Sequence, residues 1–203
     1  VEDQNYQCFL HFKELLKSTL LLTTKKIREY AIKESIKNDS NSDYTYLEFG
    51  VFSGTTITFF SKYLTKNKIY GFDSFEGLKE HWLGTTVTKG TFDIKKKIPT
   101  LPKNVVPVAG WIQDTLPPFL NEKKPKINFV HIDVDTYETT KFILDLIKPQ
   151  LVKGAIILFD ELYNFEGWDV GEYKALTEVF AKNEYKFEAF AHDGRQALIK
   201  ILN

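Results

Sequence analysis

The sequence predicts an α/β fold, in which a mostly parallel sheet carries helices on both faces. From residue 44 onward, apolar strand-like runs alternate with segments of helical periodicity, a pattern typical of strands joined by crossover helices. Two further strand-like runs near the C-terminal end flank Asp193 and Gly194, a dipeptide that favours a β-hairpin. We therefore expect a seven-stranded, doubly wound sheet that ends in an antiparallel hairpin.

The predicted strands are apolar runs bounded by turn residues, and they cover residues 44–50, 68–73, 104–110, 127–133, 154–160, 186–192 and 196–201. Pro107 lacks a backbone donor, so the third strand should lie at a sheet edge. Residues 77–103 show neither the helical nor the strand periodicity of apolar residues and are predicted to form a long functional loop.

Helices are predicted where apolar residues recur with a period of 3.6, at residues 54–65, 114–121, 136–148 and 169–182. Thr136 is the residue expected to cap the third of them. A longer helix is predicted for residues 5–37, which contain neither Pro nor Gly, and the polar run 38–43 ends it. We expect residues 1–43 to form an N-terminal helical arm and residues 44–203 to form the α/β domain.

Composition limits the classes of partner. The chain of 203 residues has the size of one α/β domain, and its 27 basic and 27 acidic residues balance. This balance gives no general attraction to nucleic acid or to an anionic membrane. Cys8 is the only cysteine, and no signal-peptide pattern or membrane-spanning run is present, so a reducing, cytoplasmic location is expected. The chain opens with Val1 and has no methionine, so we expect the true N-terminus to be missing.

A glycine-containing turn between the first predicted strand and its helix is the most informative feature. Gly50 and Gly54 let the backbone approach a ligand and direct helix N–H groups at it. Asp73 ends the next strand, where ribose hydroxyls are held in nucleotide-binding α/β folds. Glu48 precedes the first glycine, and the spacing is not that of the three-glycine dinucleotide fingerprint. The combination favours S-adenosylmethionine over NAD.

Acidic residues end two further strands. Asp133 ends one strand, and Asp160 and Glu161 end another, so on neighbouring strands these carboxylates would converge. They would repel one another unless a cation or protons neutralised them, and hard oxygen ligands suit Mg²⁺, Mn²⁺ or Ca²⁺. The alternative is that these acids cap the segments that follow.

Other residues near the predicted strand ends have two interpretations each. Asp135 is a general base or a helix cap. His131 is a base or, in the favoured interpretation, a buried histidine satisfied by backbone groups. Trp111 stacks on a ring or packs in the core, and Asp114 accepts from an exocyclic amine or caps a helix. Tyr163 and Trp168 line an acceptor pocket or belong to the core, and these alternatives stay open.

The chain resembles the macrocin O-methyltransferase family of class I methyltransferases, which act on sugars of natural products. The resemblance covers about residues 44 to 202. It rests on four stretches in the same order: Leu47-Glu48-Phe49-Gly50-Val51 with Gly54, Phe72-Asp73-Ser74-Phe75-Glu76-Gly77-Leu78, Gly110-Trp111 with Asp114-Thr115-Leu116-Pro117, and His131-Ile132-Asp133-Val134-Asp135-Thr136-Tyr137 with Asp160. The second and fourth stretches are fairly specific as a pair.

The resemblance implies a Rossmann-like fold and transfer of a methyl group from S-adenosylmethionine to a hydroxyl, with a small-molecule, sugar-type acceptor. It places the cofactor against Glu48, Gly50, Gly54, Asp73 and Ser74. We also expect cofactor contacts from Thr55, Trp111, Asp114 and Asp133.

For the chemistry, the resemblance implies that Asp133 and Asp160 bind Mg²⁺ and that Asp135 is the general base. We expect Glu161 to complete the metal site. Two departures stand out, because the family usually has Gly where this chain has Val134, and Asp where it has Glu161. The glutamate reaches about one methylene further than an aspartate would.

Other functions compatible with the sequence are a metal-independent methyltransferase and a non-catalytic S-adenosylmethionine-binding domain. An NAD-dependent oxidoreductase is disfavoured by the glycine spacing. A homodimer is a further expectation, because the apolar N-terminal helix offers a surface for a second subunit.

Overall fold

In a computed structural model, which describes residues 3–79, 81–82 and 85–203, the sheet has eight strands. They are β1 (Leu20–Leu22), β2 (Thr45–Phe49), β3 (Ile69–Asp73), β4 (Val105–Ala109), β5 (Ile127–Ile132), β6 (Leu151–Phe159), β7 (Tyr185–Ala191) and β8 (Ala197–Ile201). Their order across the sheet is β1-β7-β8-β6-β5-β2-β3-β4. Only β8 runs antiparallel to its neighbours, so the predicted parallel sheet with a C-terminal hairpin is confirmed.

Six α-helices accompany the sheet in the described residues: α1 (Gln4–Ser18), α2 (Thr24–Asn38), α3 (Thr55–Ser61), α4 (Ile112–Lys123), α5 (Tyr137–Ile147) and α6 (Glu172–Val179). A short 3-10 helix (Lys148–Gln150) follows α5. Within the described residues no helix combines the length and the apolar character that crossing a membrane requires.

The prediction of one continuous N-terminal helix was wrong. In the structure the first helix ends at Ser18, the backbone of Thr19 is extended, and three residues then form β1 before α2 begins. β1 pairs in parallel with β7, where Leu20 lies opposite Ala189, so it satisfies backbone groups at that edge of the sheet. The hydroxyl of Thr23 then accepts the N–H of Lys26 and caps α2. β1 is the eighth strand, and tertiary pairing rather than local periodicity produces it.

Apolar side chains bury both faces of the sheet. Successive strand residues point to opposite faces, so Leu47 belongs to one buried cluster and Tyr46 to the other. Phe12 of α1 joins the first cluster with residues of α4, α5 and α6, and Ile27 of α2 joins the second with residues of α3. The expected helices on both faces are therefore confirmed, and the first 43 residues contribute to both clusters.

Three local predictions met different outcomes. Pro107 lies on β4, which is the edge strand, as expected. Thr136 is the residue before α5, but its hydroxyl donates to the Thr139 hydroxyl and makes no capping bond to the backbone. The described part of residues 77–103 contains no helix and only an isolated bridge between Glu76 and Asp93. That segment is a loop, as predicted.

Candidate functional site

A cavity of about 280 Å³ opens at the carboxyl ends of the central strands. β2 lies between β3 and β5, and the helices that follow β2 and β5 pack on opposite faces, which leaves a crevice at the strand ends. The predicted site residues that line it are Gly50, Asp73, Ser74, Trp111, Asp133, Asp135 and Glu161. Loop residues 77–79 together with Trp82 and Phe92 also line it, so the long loop forms part of its wall.

Gly50 brings the turn after β2 against the end of β5. Its φ of +88° is in the left-handed region, and a Cβ at this position would lie 1.8 Å from the carbonyl oxygen of Asp133. The glycine therefore allows the turn to approach the backbone of an acidic site residue.

Substitution of Gly50 by Ala should destabilise the protein by more than about 4 kcal/mol, because backbone atoms of Asp133 cannot move aside cheaply. Gly90→Ala is the matched control, since Gly90 has a φ of +83° but no described atom within 4 Å of an added Cβ. The control should cost only the backbone strain of about 1–2 kcal/mol. Thermal unfolding of both variants measures the difference. Equal losses of stability would contradict the close approach at Gly50.

Asp73 organises the glycine turn. Its Oδ2 accepts the backbone N–H groups of Val51 (2.8 Å) and Phe52 (2.7 Å), and its Oδ1 accepts the N–H of Phe75 (2.7 Å). A carboxylate offers about four acceptor positions, so one position remains for a hydroxyl in the cavity. The position of Asp73 is compatible with the predicted ribose contact.

Glu48 and His131 lie on adjacent strands beside the cavity, and neither residue has an exposed side chain. His131 Nδ1 lies 3.2 Å from Glu48 Oε2, and His131 Nε2 lies 3.2 Å from Asp160 Oδ1. Both ring nitrogens donate when both acids are ionised; burial raises the pKa of Glu48, whereas His131 opposes that rise. Burial alone would lower the pKa of His131, but the hydrogen bonds to Asp160 and Glu48 raise it to about 10. The expectation of backbone partners for His131 was wrong, and its imidazolium is not free to act as a base or a metal ligand.

Carboxylate oxygens of Asp133, Asp135 and Glu161 lie within 4.8 Å of one another. Burial, followed by the negative charge of Asp160, raises the pKa of Asp133 and of Glu161 well above the usual range. The same two causes raise the pKa of Asp135 to about 7, although Arg195 opposes them. Without a cation, these carboxyl groups would therefore need protons to offset their mutual repulsion.

A hard dication fits this donor set. One oxygen of Glu161, Oε2, is buried and has no hydrogen-bond partner among the described residues. All the available ligand atoms are carboxylate oxygens, which Mg²⁺ and Mn²⁺ prefer. Asp160 also reaches Asp133, since oxygens of these two residues lie within 4.8 Å of each other and of a His131 nitrogen. Its Oδ1, however, already accepts from Arg28, His131 and Gln196.

Four predicted cofactor residues are not part of the cavity wall. Glu48 is enclosed beside His131, and Asp114 is exposed in the first turn of α4. Gly54 precedes α3, and a Cβ there would lie 2.7 Å from a methyl group of Leu101, so the long loop packs on it. The Thr55 hydroxyl lies 3.0 Å from that of Ser53. Cofactor contacts by these four residues stay predictions.

Tyr163 and Trp168 belong to the core rather than to the cavity. The rings of both pack edge-on against Phe12 of α1, at centroid distances of 5.8 Å and 5.4 Å, and both are buried. The core interpretation of these two residues is therefore the one that the structure supports.

Several contacts around the cavity could not be read from the sequence. The Lys79 ammonium lies 5.6 Å from the ring centroid of Trp111, and the rings of Phe52 and Phe92 meet edge-on at 5.4 Å. Arg195 stacks 5.0 Å from the ring centroid of Phe165. Each pair joins segments that are distant along the chain, so no local pattern indicates them.

This sheet order, with a glycine turn after β2 and acids after β3 and β5, defines the class I fold of S-adenosylmethionine-dependent methyltransferases. A family model described as a methyltransferase domain matches residues 47–162. The match covers more than half of the chain, so the chain belongs to this methyltransferase family. It is an S-adenosylmethionine-dependent methyltransferase.

Solved structures with the same fold include that of CalS11, a calicheamicin methyltransferase. It is 22% identical, with a TM-score of 0.70, and the match covers 98% of this chain and 94% of that one. The O-methyltransferase NovP is 18% identical, with a TM-score of 0.64 and coverage of 88% and 79%. An O-methyltransferase from Bacillus cereus in complex with SAH is 11% identical, with a TM-score of 0.57 and coverage of 100% and 92%. At these identities the likeness concerns the fold. No curated protein matches the chain.

Proposed function

We propose that the protein transfers a methyl group from S-adenosylmethionine to a hydroxyl of a sugar or a glycosylated small molecule, with assistance from a divalent cation. The observation that carries the proposal is the convergence of Asp133, Asp135 and Glu161 in the wall of a cavity that Asp73 and Trp111 also line. A structure of CalS11 is described as that of a TDP-rhamnose 3′-O-methyltransferase, which supports a sugar-type acceptor.

The adenosine end of the cofactor would lie on the Asp73 side of the cavity. The remaining acceptor position of Asp73 suits a ribose hydroxyl, and Ser74 follows it in the same wall. The Trp111 ring offers an aromatic surface for the adenine, with Lys79 fixing the orientation of that ring. The methionine end would then extend past Gly50 toward Asp133, where carboxylates favour the positive charge of the sulfonium.

The cation would be held by Asp133, whose ligand atom lies within 4.8 Å of that of Glu161 in one group and of that of Asp160 in another. When bound, the cation would lower the pKa of the acceptor hydroxyl. Asp135 accepts the hydroxyl proton, and a pKa of about 7 suits a general base near neutral pH. The acceptor oxygen forms a bond to the methyl carbon as the carbon–sulfur bond breaks. The electron pair of that bond stays on sulfur, so S-adenosylhomocysteine is the second product.

The loop 77–103 would exclude water from the reacting groups. Trp82 and Phe92 place apolar rings in the cavity wall, and the Phe92 ring packs against Phe52 of the glycine turn. Holding the two substrates in line in a dry cleft supplies much of the rate enhancement that such a transfer needs.

Removal of divalent metal tests the metal-assisted mechanism. Methyl transfer to nucleoside-diphosphate sugars and to free glycosides should fall at least tenfold in EDTA and return when excess Mg²⁺ is added. Binding of S-adenosylhomocysteine should persist in EDTA, because Asp73 and Trp111 lie on the other side of the cavity. Turnover that is equal in EDTA and Mg²⁺ would instead favour the metal-independent methyltransferase.

A homodimer through α1 and a cytoplasmic location stay predictions. The outer face of α1 exposes Tyr6, Phe9 and Leu10, whose side chains offer an apolar surface to a second subunit. Neutral overall charge and a buried single cysteine agree with a small-molecule enzyme of a reducing compartment.

A further inference from the structure

One oxygen of Asp160 receives three donors from three separate parts of the chain. The Arg28 guanidinium of α2 lies 3.0 Å from Asp160 Oδ1, and His131 Nε2 of β5 lies 3.2 Å from the same atom. The Gln196 amide, which directly precedes β8, donates to it as well. Gln196 is buried, and the Arg28 and Asp160 side chains are only 24% and 17% exposed.

Three donors saturate this oxygen and fix the plane of the carboxylate. A carboxylate oxygen offers about two lone-pair positions, so Oδ1 has no capacity left for a further ligand. In the part of the chain that the structure describes, Asp160 Oδ2 has no hydrogen-bond partner. A carboxylate held through one oxygen by charge-assisted bonds presents its other oxygen in a defined direction.

We propose that Arg28 and Gln196 are positioning residues that hold Asp160 Oδ1, so that Oδ2 is presented to a divalent cation that Asp133 also binds; ligand atoms of Asp133 lie within 4.8 Å of those of Asp160 and, in a second group, of Glu161. The inference rests on the proposed metal-assisted function and deepens it. Both residues lie outside residues 47–162, the region that the methyltransferase family model matches. The metal site of this chain therefore depends on its N-terminal and C-terminal segments as well.

A purely structural ion network is the competing explanation. Acidic and basic side chains alternate in this network, in the order Glu48, His131, Asp160 and Arg28. Such a network of opposite charges stabilises a fold without any ligand. The two explanations differ in what a substitution changes. A structural network affects stability alone, whereas loss of a residue that orients a ligand typically lowers metal affinity 10- to 100-fold.

The test is calorimetric titration of the 203-residue chain with Mn²⁺, with S-adenosylhomocysteine at saturation. The variants are Gln196→Met and Arg28→Lys, which leave the formal charge unchanged, so that attraction of the cation by net charge stays constant. We expect about tenfold weaker Mn²⁺ binding in each, with the affinity for S-adenosylhomocysteine within twofold of wild type. Tyr30→Phe is the matched control, because it removes a 3.2 Å hydrogen bond between α2 and Glu188 and should leave Mn²⁺ affinity unchanged.

The outcomes separate the inference from the proposed function. Absence of Mn²⁺ binding to the wild type would overturn the metal-assisted function and the inference with it. Wild-type binding that both variants retain in full would overturn only the positioning role. Parallel losses of thermal stability, Mn²⁺ affinity and S-adenosylhomocysteine affinity would assign the network a structural role. If Arg28→Lys does not fold, Gln196→Met, which removes one neutral donor, decides the question.

Discussion

Replacement of Asp135 by Asn should lower kcat for methyl transfer by about 10²- to 10⁴-fold, the usual contribution of a general base. Asp135 lines the cavity, and its carboxylate lies within 4.8 Å of oxygens of Asp133 and Glu161. Its pKa of about 7 means that it is protonated and inactive in acid and becomes a base as the pH rises. Asparagine has a similar shape but cannot take the proton. Steady-state assays with saturating cofactor measure the effect.

The pH profile provides a second readout for Asp135. Wild-type activity should increase with pH in the acidic range, at a pH below about 7 because a bound cation would lower the pKa of Asp135, and the residual activity of Asp135→Asn should lose that dependence. Asp145→Asn is the matched control, because Asp145 is exposed on α5 and pairs with Lys141. A variant that keeps both its kcat and its pH dependence would remove Asp135 from the mechanism.

Replacement of Asp73 by Asn should weaken binding of S-adenosylhomocysteine by about 10²-fold or more. The carboxylate accepts three backbone N–H groups, whereas the amide has one acceptor oxygen and turns an NH₂ group toward some of those donors. The donors of Val51 and Phe75 are part-buried, so leaving them without an acceptor destabilises the turn, and the ribose contact is lost as well. Calorimetric titration measures the change.

Two checks make the Asp73 result specific. Mn²⁺ affinity measured without S-adenosylhomocysteine should stay close to the wild-type value, because the acids that would hold the cation lie at the ends of other strands. Asp145→Asn again serves as the control. Unchanged affinity of Asp73→Asn for S-adenosylhomocysteine would show that the cofactor does not use this end of the cavity.

The strands and their ends could be predicted because the residue patterns that determine them are local in the sequence. The residues of β5, Ile127–Ile132, are buried at every position because a parallel sheet is covered on both faces, and most of them are apolar. The carboxyl ends of such strands meet at one edge, so Asp73, Asp133 and Asp135 could be predicted to share a cleft. Pro107 likewise predicted an edge strand through its missing donor.

What the sequence left open depends on tertiary contacts. β1 forms because the edge of β7 is available, although residues 5–37 have an uninterrupted helical pattern. The partners of His131 are a carboxylate on β2 and one that directly follows β6, and Arg28 meets Asp160 across 132 residues of sequence. Only the folded topology brings these groups together, which is why the saturation of Asp160 Oδ1 could not be predicted.

The most direct test of the account is calorimetric titration of the wild-type protein with S-adenosylhomocysteine, in Mg²⁺ and in EDTA. We expect binding at one site per chain with a Kd in the micromolar range, which corresponds to a binding free energy of about −8 kcal/mol, in both conditions. No binding in either condition would contradict the assignment of the cavity to S-adenosylmethionine.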